Sequence, residues 1–374
     1  MKMFSRSLFY TLLLCGMSVA AIAADSPQST ADLNKRAKIF VEGLSDPDYS
    51  VVKNNQQRLI RMGASAVPEM RKALANRDFG GSEKIIEIII EIGPAAKGAI
   101  PELLALPDNS DAAQALGAIG PSAIPALAAA LSNDDKKVRN LAAWSLWWMN
   151  RKAAGAVPAL IKALKDPEPD VRSNVYRTLG EIGSAAGSSA PGLLENLNKY
   201  GEDTDHPQCK EIVEAADKIG PSTIAVLERG LSCSVWEAAR ALGKMGPAAA
   251  PMLVKAFMTD PDKVPGTVDA SAFALQKLGP KAESAIPALV KVLDAKDRTR
   301  STWACEILGK IGPNAVPALI KALGHEDSDV RAHAAEALGG MGPQAKAASK
   351  ALNKALSDSD ANVRQAAAKA LDAI

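Results

Sequence analysis

Residues 312–342, GPNAVPALIKALGHEDSDVRAHAAEALGGMG, decide the fold. Gly312 can take the left-handed conformation that ends a preceding helix, and Pro313 follows where its missing N–H costs nothing at the next helix start. Val316, Leu319, Ile320 and Leu323 then recur at i, i+3, i+4 and i+7, the apolar stripe of a first helix (A), with Pro317 tolerated in its first turn. Asp327 and Asp329 supply oxygens that cap the free N–H groups of a second helix (B), predicted over residues 330–341. On helix B, Val330, Ala334, Ala335, Leu338 and Met341 share one side, and the alanines let another helix pack closely. Neither helix can bury its stripe alone, so the unit demands neighbours of its own kind.

Such neighbours fill the chain. The glycine that closes helix B returns at Gly63, Gly93, Gly120, Gly183, Gly220, Gly246, Gly279, Gly312 and Gly342, with Asn150 in the same role, mostly 27 to 33 residues apart. The following proline comes five residues later at Pro125, Pro251 and Pro317 but eight later at Pro101, Pro158 and Pro287, a difference of nearly one helical turn. Residues 85–92 are β-branched enough to suggest a strand, yet Gly93-Pro94 closes them where a B helix ends, so the register predicts helix. Two insertions interrupt the rhythm, KYGEDTDHPQ at 199–208 and MTDPDKVPGT at 258–267. The expectation is an all-α, right-handed α-solenoid (superhelix) of about eleven helix pairs over residues 32–374.

Composition agrees: 47% of residues are apolar but only 4% aromatic, which suits helices packed through Ala and Leu. Ahead of the repeats, Lys2 and Arg6, an apolar run from Leu8 to Val19, and Ala21-Ile22-Ala23 read as a signal peptide over 1–23, followed by a polar linker at 24–31. Cys15 follows Leu14 rather than a small residue, so lipidation is not expected. No later segment reads as a transmembrane helix, and the chain is expected to be exported, periplasmic or secreted. The whole chain has 44 Lys and Arg against 42 Asp and Glu, and losing Lys2 and Arg6 brings the balance to zero, which argues against nucleic acid as a partner. Cys305 replaces a core-facing alanine. Cys209 and Cys233 fall near the starts of consecutive B helices, where an oxidising compartment permits a disulfide, although packed helix axes lie about 8–10 Å apart.

The recurring G-P-x-A…P-A-L and D-x-x-V-R-x-x-A-A-x-A-L-G-x-I-G resemble HEAT-like repeats of the phycobilisome (PBS) lyase type, over about nine-tenths of the chain. The resemblance implies that the B helices line a concave side. It also implies that Arg139, Arg172, Arg331 and Arg364 link neighbouring repeats, with Asp134, Asp170, Asp329 and Asp360 as partners. Relatives of this type include scaffolds, chromophore-attachment subunits and deoxyhypusine hydroxylase. The hydroxylase's di-iron site needs four His-Glu pairs on B helices. This chain has three histidines, and its one such pair, His325-Glu326, lies in a loop, so no metal or cofactor is expected. Glu202, Asp203, Asp205 and His206 offer oxygens and a nitrogen but lack the Gly and distal Glu of an EF-hand loop.

If positions one, five, nine and twelve of helix B face the core, positions three, seven and eleven lie together opposite it. That stripe reads Glu83, Glu87, Glu91 in the second pair; Asn140, Trp144, Trp148 in the fourth; and Ser173, Arg177, Glu181 in the fifth. It continues as Trp236, Arg240, Lys244 in the seventh and Asp269, Phe273, Lys277 in the eighth. Trp147 stands beside the fourth stripe in a slot where other repeats have Gly. Trp and Arg are enriched among interface hot spots. The residues expected to bind a protein partner are therefore Trp144, Trp147, Trp148, Arg177, Trp236, Arg240 and Phe273. Trp144 and Trp236 should lie about 30 Å apart, roughly nine residues of extended chain. The function expected is a non-catalytic protein-interaction scaffold; the alternative is an enzyme or enzyme subunit with a site in the 199–208 loop.

Overall fold

The computed structural model describes residues 29–200, 206–259, 266–293 and 297–374. The expected signal peptide, most of the linker, Glu202, Asp203 and Asp205 of the first insertion, and residues 260–265 of the second lie outside the described residues.

The described elements are all helical and form eleven pairs. The first is α1 (Thr30–Glu42) with α2 (Tyr49–Met62), the second α3 (Val67–Ala75) with α4 (Ser82–Ile92). Next come α5 (Ile100–Leu104) with α6 (Ser110–Ile119), α7 (Ile124–Ala130) with α8 (Lys136–Met149), and α9 (Val157–Ala163) with α10 (Pro169–Ile182). The sixth to eighth are α11 (Ala190–Lys199) with α12 (Pro207–Ile219), α13 (Ile224–Gly230) with α14 (Val235–Lys244), and α15 (Ala250–Phe257) with α16 (Thr267–Leu278). The last three are α17 (Ile286–Leu293) with α18 (Arg298–Ile311), α19 (Val316–Ala322) with α20 (Ser328–Met341), and α21 (Ser349–Ala355) with α22 (Ala361–Ala373). Two compact units divide between Ala99 and Ile100; the first holds α1–α4, the second α5–α22. Within the second, each B helix from α6 to α22 packs on the next, an all-α solenoid.

Local chemistry sets the ends. Asp327 caps α20 by accepting from the Asp329 N–H at 2.8 Å, and Asp135 and Asp360 do the same for α8 and α22. Each B helix from α2 to α20 is followed by a residue of positive φ, from 51° at Asn150 to 97° at Gly312, directly after the helix except in α14, where Met245 intervenes before Gly246. Their ψ values lie between −128° and −158°, so the residue takes the extended positive-φ region that glycine alone enters freely, not the left-handed helical well expected from sequence. Asn150 is the non-glycine among them. A short 3-10 turn comes next, such as Pro313–Ala315, before helix A begins. The isoleucine run of α4 is helical, with Ile85, Ile86, Ile88 and Ile89 buried.

Residues Ser110–Ala130 are long and apolar enough to count as a membrane span by composition, contrary to the expectation that no segment after the signal would be. Here they are α6, a turn at Gly120 (φ 76°), and α7. At 1.5 Å per residue neither helix reaches the roughly 30 Å of a bilayer core.

The core of the tenth pair, α19 with α20, is as the periodicity requires. Val316, Leu319, Val330, Ala334, Ala335 and Leu338 are buried, and fully burying a leucine contributes about 2 kcal/mol. If the closing residue of each B helix is numbered thirteen, position ten is glycine in α6, α10, α14, α18 and α20, and it meets the next B helix closely. A Cβ on Gly180 would lie 3.2 Å from Ala215 Cα, one on Gly309 3.0 Å from Ala337 Cβ, and one on Gly339 2.9 Å from Ala370 Cα.

Polar ties join the A–B loops. Arg139 donates to both carboxylate oxygens of Asp166 at 2.6 and 3.1 Å, and to the carbonyls of Asn133 and Asp134 at 2.9 Å each. Arg331 repeats this with Asp358, at 2.8 Å on each oxygen. The arginine fork holds the Asp358 carboxyl down at about 2. The partner carboxylate therefore comes from the loop of the following repeat, not from the arginine's own loop as expected. Asp134 offers only its carbonyl, Asp360 is occupied as a cap, and Asp329 pairs with Arg298. Among the described residues Arg172 reaches no carboxylate; it donates to the side-chain oxygen of Gln208 at 2.9 Å and to the Asp166 carbonyl at 2.7 Å.

Two substitutions test this packing. Gly339→Ala should destabilise the second unit by about 1–3 kcal/mol, because its Cβ meets backbone. Gly340→Ala, with nothing within 4 Å of its Cβ, should be neutral or stabilising by up to about 1 kcal/mol; urea unfolding followed by circular dichroism reads both. Asn150→Gly should raise the unfolding midpoint, by about 1 kcal/mol of relieved strain.

Candidate protein-interaction face

The stripe opposite the core carries most of the residues singled out from sequence. Trp148 is 40% exposed, Trp236 54% and Phe273 42%, whereas Trp144 and Trp147 are half-buried. Trp147 and Trp148 meet edge to face, ring centroids 5.2 Å apart. Position ten explains the geometry of the fourth pair. Trp147 cannot enter a glycine-sized contact, and on α10 the facing eighth residue is Thr178, whose hydroxyl donates to the Ala143 carbonyl of α8 at 3.0 Å. Trp148 in turn covers Gly117 of α6, where a Cβ would lie 2.4 Å from its own.

A second aromatic pair joins two helices. Trp236 of α14 and Phe273 of α16 pack edge to face at 6.4 Å, and the Lys277 ammonium stands 5.2 Å from the Phe273 ring centroid. Between the two aromatic patches lie α10 and α12, where Arg177 pairs with Glu211 at 2.8 Å. Arg240 and Lys244 share Asp217, at 3.9 and 2.7 Å. The structure thus joins Trp147 to Trp148 and Trp236 to Phe273, and places both arginines on carboxylates of α12. Farther along the same layer, a groove of about 510 Å³ between α18 and α20 is lined by Glu306, Lys310, His333, Glu336 and Gln344.

The flanks of the first insertion form a polar hub that sequence reasoning missed. Gln208 is 4% exposed. It accepts from Arg172 and from the Tyr200 hydroxyl, and it donates to the Pro169 carbonyl at 2.8 Å. The signal was available, since Gln208 occupies the first position of its B helix, where Val171 and Val330 stand in theirs. Tyr200 stacks on His206 at 3.9 Å, and His206 accepts from the Gln208 N–H as an N-cap. His325 accepts from the Asp327 N–H at 3.0 Å, and His333 contacts the Asp329 carbonyl at 2.7 Å. His206 and His325 therefore serve helix starts, whereas His333 lies within α20 and lines the groove beside α18. Among the described residues no group of three or more metal-ligating side chains converges.

Cys209, Cys233 and Cys305 stand as buried thiols. Burial, then a hydrogen bond with Cys209, pushes the Cys233 thiol up to about 12, and burial likewise raises Cys305 to about 12. Cys209 takes the second position of its B helix, which is arginine in α8, α10, α20 and α22.

Comparison with known proteins agrees with this architecture. Residues 124–216 and 298–372 match the model for HEAT repeats, and residues 110–133 and 235–257 that for the PBS lyase HEAT-like repeat. The chain belongs to the HEAT-repeat family. No curated protein matches it. Among solved structures, the karyopherin Kap121p bound to the extreme C-terminus of the protein phosphatase Cdc14p is 14% identical, with a TM-score of 0.52, over 90% of this chain. The chain spans 45% of that karyopherin's length. An engineered protein is 24% identical over 90% of this chain and 98% of its own, with a TM-score of 0.41. At such identities the likeness bears on the fold alone.

The thiols give a direct check. In the reduced native protein, iodoacetamide at about pH 8 should label Cys233 and Cys305 far more slowly than in urea, because the attacking thiolate is scarce and enclosed; equal rates would place these residues outside the core.

Proposed function

We propose that this protein is an exported, non-catalytic interaction scaffold that holds an extended segment of a protein partner across its B-helix face. Trp144, Trp148 and Trp236 would anchor the segment, Phe273 and Trp147 would buttress the anchors, and Arg177 and Arg240 would orient its backbone or carboxylates. The observation that carries the reading is the exposure of Trp148, Trp236 and Phe273 on one layer of helices, since large aromatic surface left in water is the usual mark of a docking site. The HEAT-repeat fold is compatible with the role, as the Kap121p complex illustrates for that protein. Export rests on the reading of residues 1–23, and an oxidising destination would also let the adjacent Cys209 and Cys233 close a disulfide.

A single experiment examines the reading. The full-length gene is expressed in its native host with p-benzoylphenylalanine in place of Phe273 on the B-helix face, or in place of Lys162 on α9. The expected product is an envelope-fraction protein beginning at Ala24 that cross-links one partner from position 273 alone. Adding Trp148→Ala and Trp236→Ala should cut that product by about tenfold while the helical circular dichroism is unchanged. Equal cross-linking from both positions, or an undiminished product in the folded double variant, would overturn the assignment of the face.

A further inference from the structure

The eleventh position of the B helices holds lysine in four consecutive repeats: Lys218 of α12, Lys244 of α14, Lys277 of α16 and Lys310 of α18. All four are exposed. Lys244 meets Asp217 across α12 and α14, Gly243 meets Ala274 across α14 and α16, and Gln276 donates to Glu306 across α16 and α18. The C-terminal turns of the four helices therefore lie side by side and their lysines form a lane across the layer, with the Trp236–Phe273 pair on the same face. Lys218 is met by Glu181 at 2.6 Å and Lys244 by Asp217 at 2.7 Å. Lys277 rests on the Phe273 ring, and neither it nor Lys310 has an ion-pair partner among the described residues. A helix C-terminus carries partial negative charge and welcomes a lysine. That accounts for any one of them, but α8, α10 and α20 have Trp148, Glu181 and Gly340 at this position.

The spacing selects a ligand conformation. Neighbouring helix axes are about 8–10 Å apart. A polyproline II chain repeats every three residues and rises about 3.1 Å per residue, so side chains on one edge recur about every 9.3 Å. A β-strand alternates faces and cannot present every third residue to one lane. The prolines of such a chain also suit aromatic rings. We infer that the lane binds an acidic polyproline II segment whose carboxylates fall three residues apart, with prolines packed on Trp236 and Phe273. This inference rests on the B-helix face being the binding face and names the chemistry of its occupant.

The probe is a synthetic peptide of four Glu-Pro-Pro triplets, roughly matching the lane. It is compared with four Lys-Pro-Pro triplets and with a peptide of the same composition whose glutamates are contiguous, each titrated against the full chain by fluorescence anisotropy. The spaced acidic peptide should bind most tightly and weaken as salt rises. Lys277→Glu with Lys310→Glu, which breaks no ion pair, should weaken it about tenfold or more, whereas Lys162→Glu with Lys291→Glu on the A helices should not. Equal binding of the contiguous peptide, equal loss in the A-helix variant, or no binding would each overturn the inference. If position 273 nonetheless cross-links a partner that is lost in Trp148→Ala/Trp236→Ala, the scaffold face stands and only its acidic occupant is wrong.

Discussion

Close approach of consecutive B helices, glycine at position ten against a small residue at position eight, is the contact on which the second unit depends. Gly180 against Ala215, Gly309 against Ala337 and Gly339 against Ala370 leave no space for a methyl group without a shift. With backbones this near, neighbouring helices hold one register, and equivalent positions line up in lanes across the layer. The Trp236–Phe273 pair, which spans the Gly243–Ala274 seam of α14 and α16, is a consequence of that alignment and would not exist on helices free to slide.

The fourth pair shows the effect of breaking that contact. Trp147 replaces the glycine, and its half-buried ring meets Trp148 edge to face. Position one of α12 shows the converse, because Gln208 puts a polar side chain in a core slot, where Arg172, Tyr200, the Pro169 carbonyl and the Ser173 hydroxyl satisfy it. The same repeat carries Cys209 where others carry arginine, so the Arg–Asp tie is absent there and two thiols meet instead.

The ties themselves were half legible. Their arginines follow a valine at the start of helix B and are plain in the sequence, but the carboxylate each reaches depends on where the next repeat's loop sits. Asp166 and Asp358 occupy that place, whereas Asp134 gives the arginine only its backbone carbonyl and Asp360 caps its own helix. Likewise the residues of the candidate face could be enumerated by counting from each closing glycine. Their degree of exposure, and the Trp236–Phe273 contact, required the helices to be assembled.

The part that the sequence determined by itself is local and periodic. The closing glycines, the capping aspartates and the 3.6-residue stripes specify helix, turn and repeat number, since each depends on residues within one or two turns of chain. They override even the β-branched run of α4. The part that only the tertiary structure decided is lateral: which loop carboxylate an arginine meets, which tryptophan stays in water, and how Ser110–Ala130, apolar enough to cross a membrane, becomes two short helices either side of a turn. Those outcomes turn on contacts between residues about 27 to 40 positions apart, and no pattern within a single repeat encodes the spacing of its neighbours.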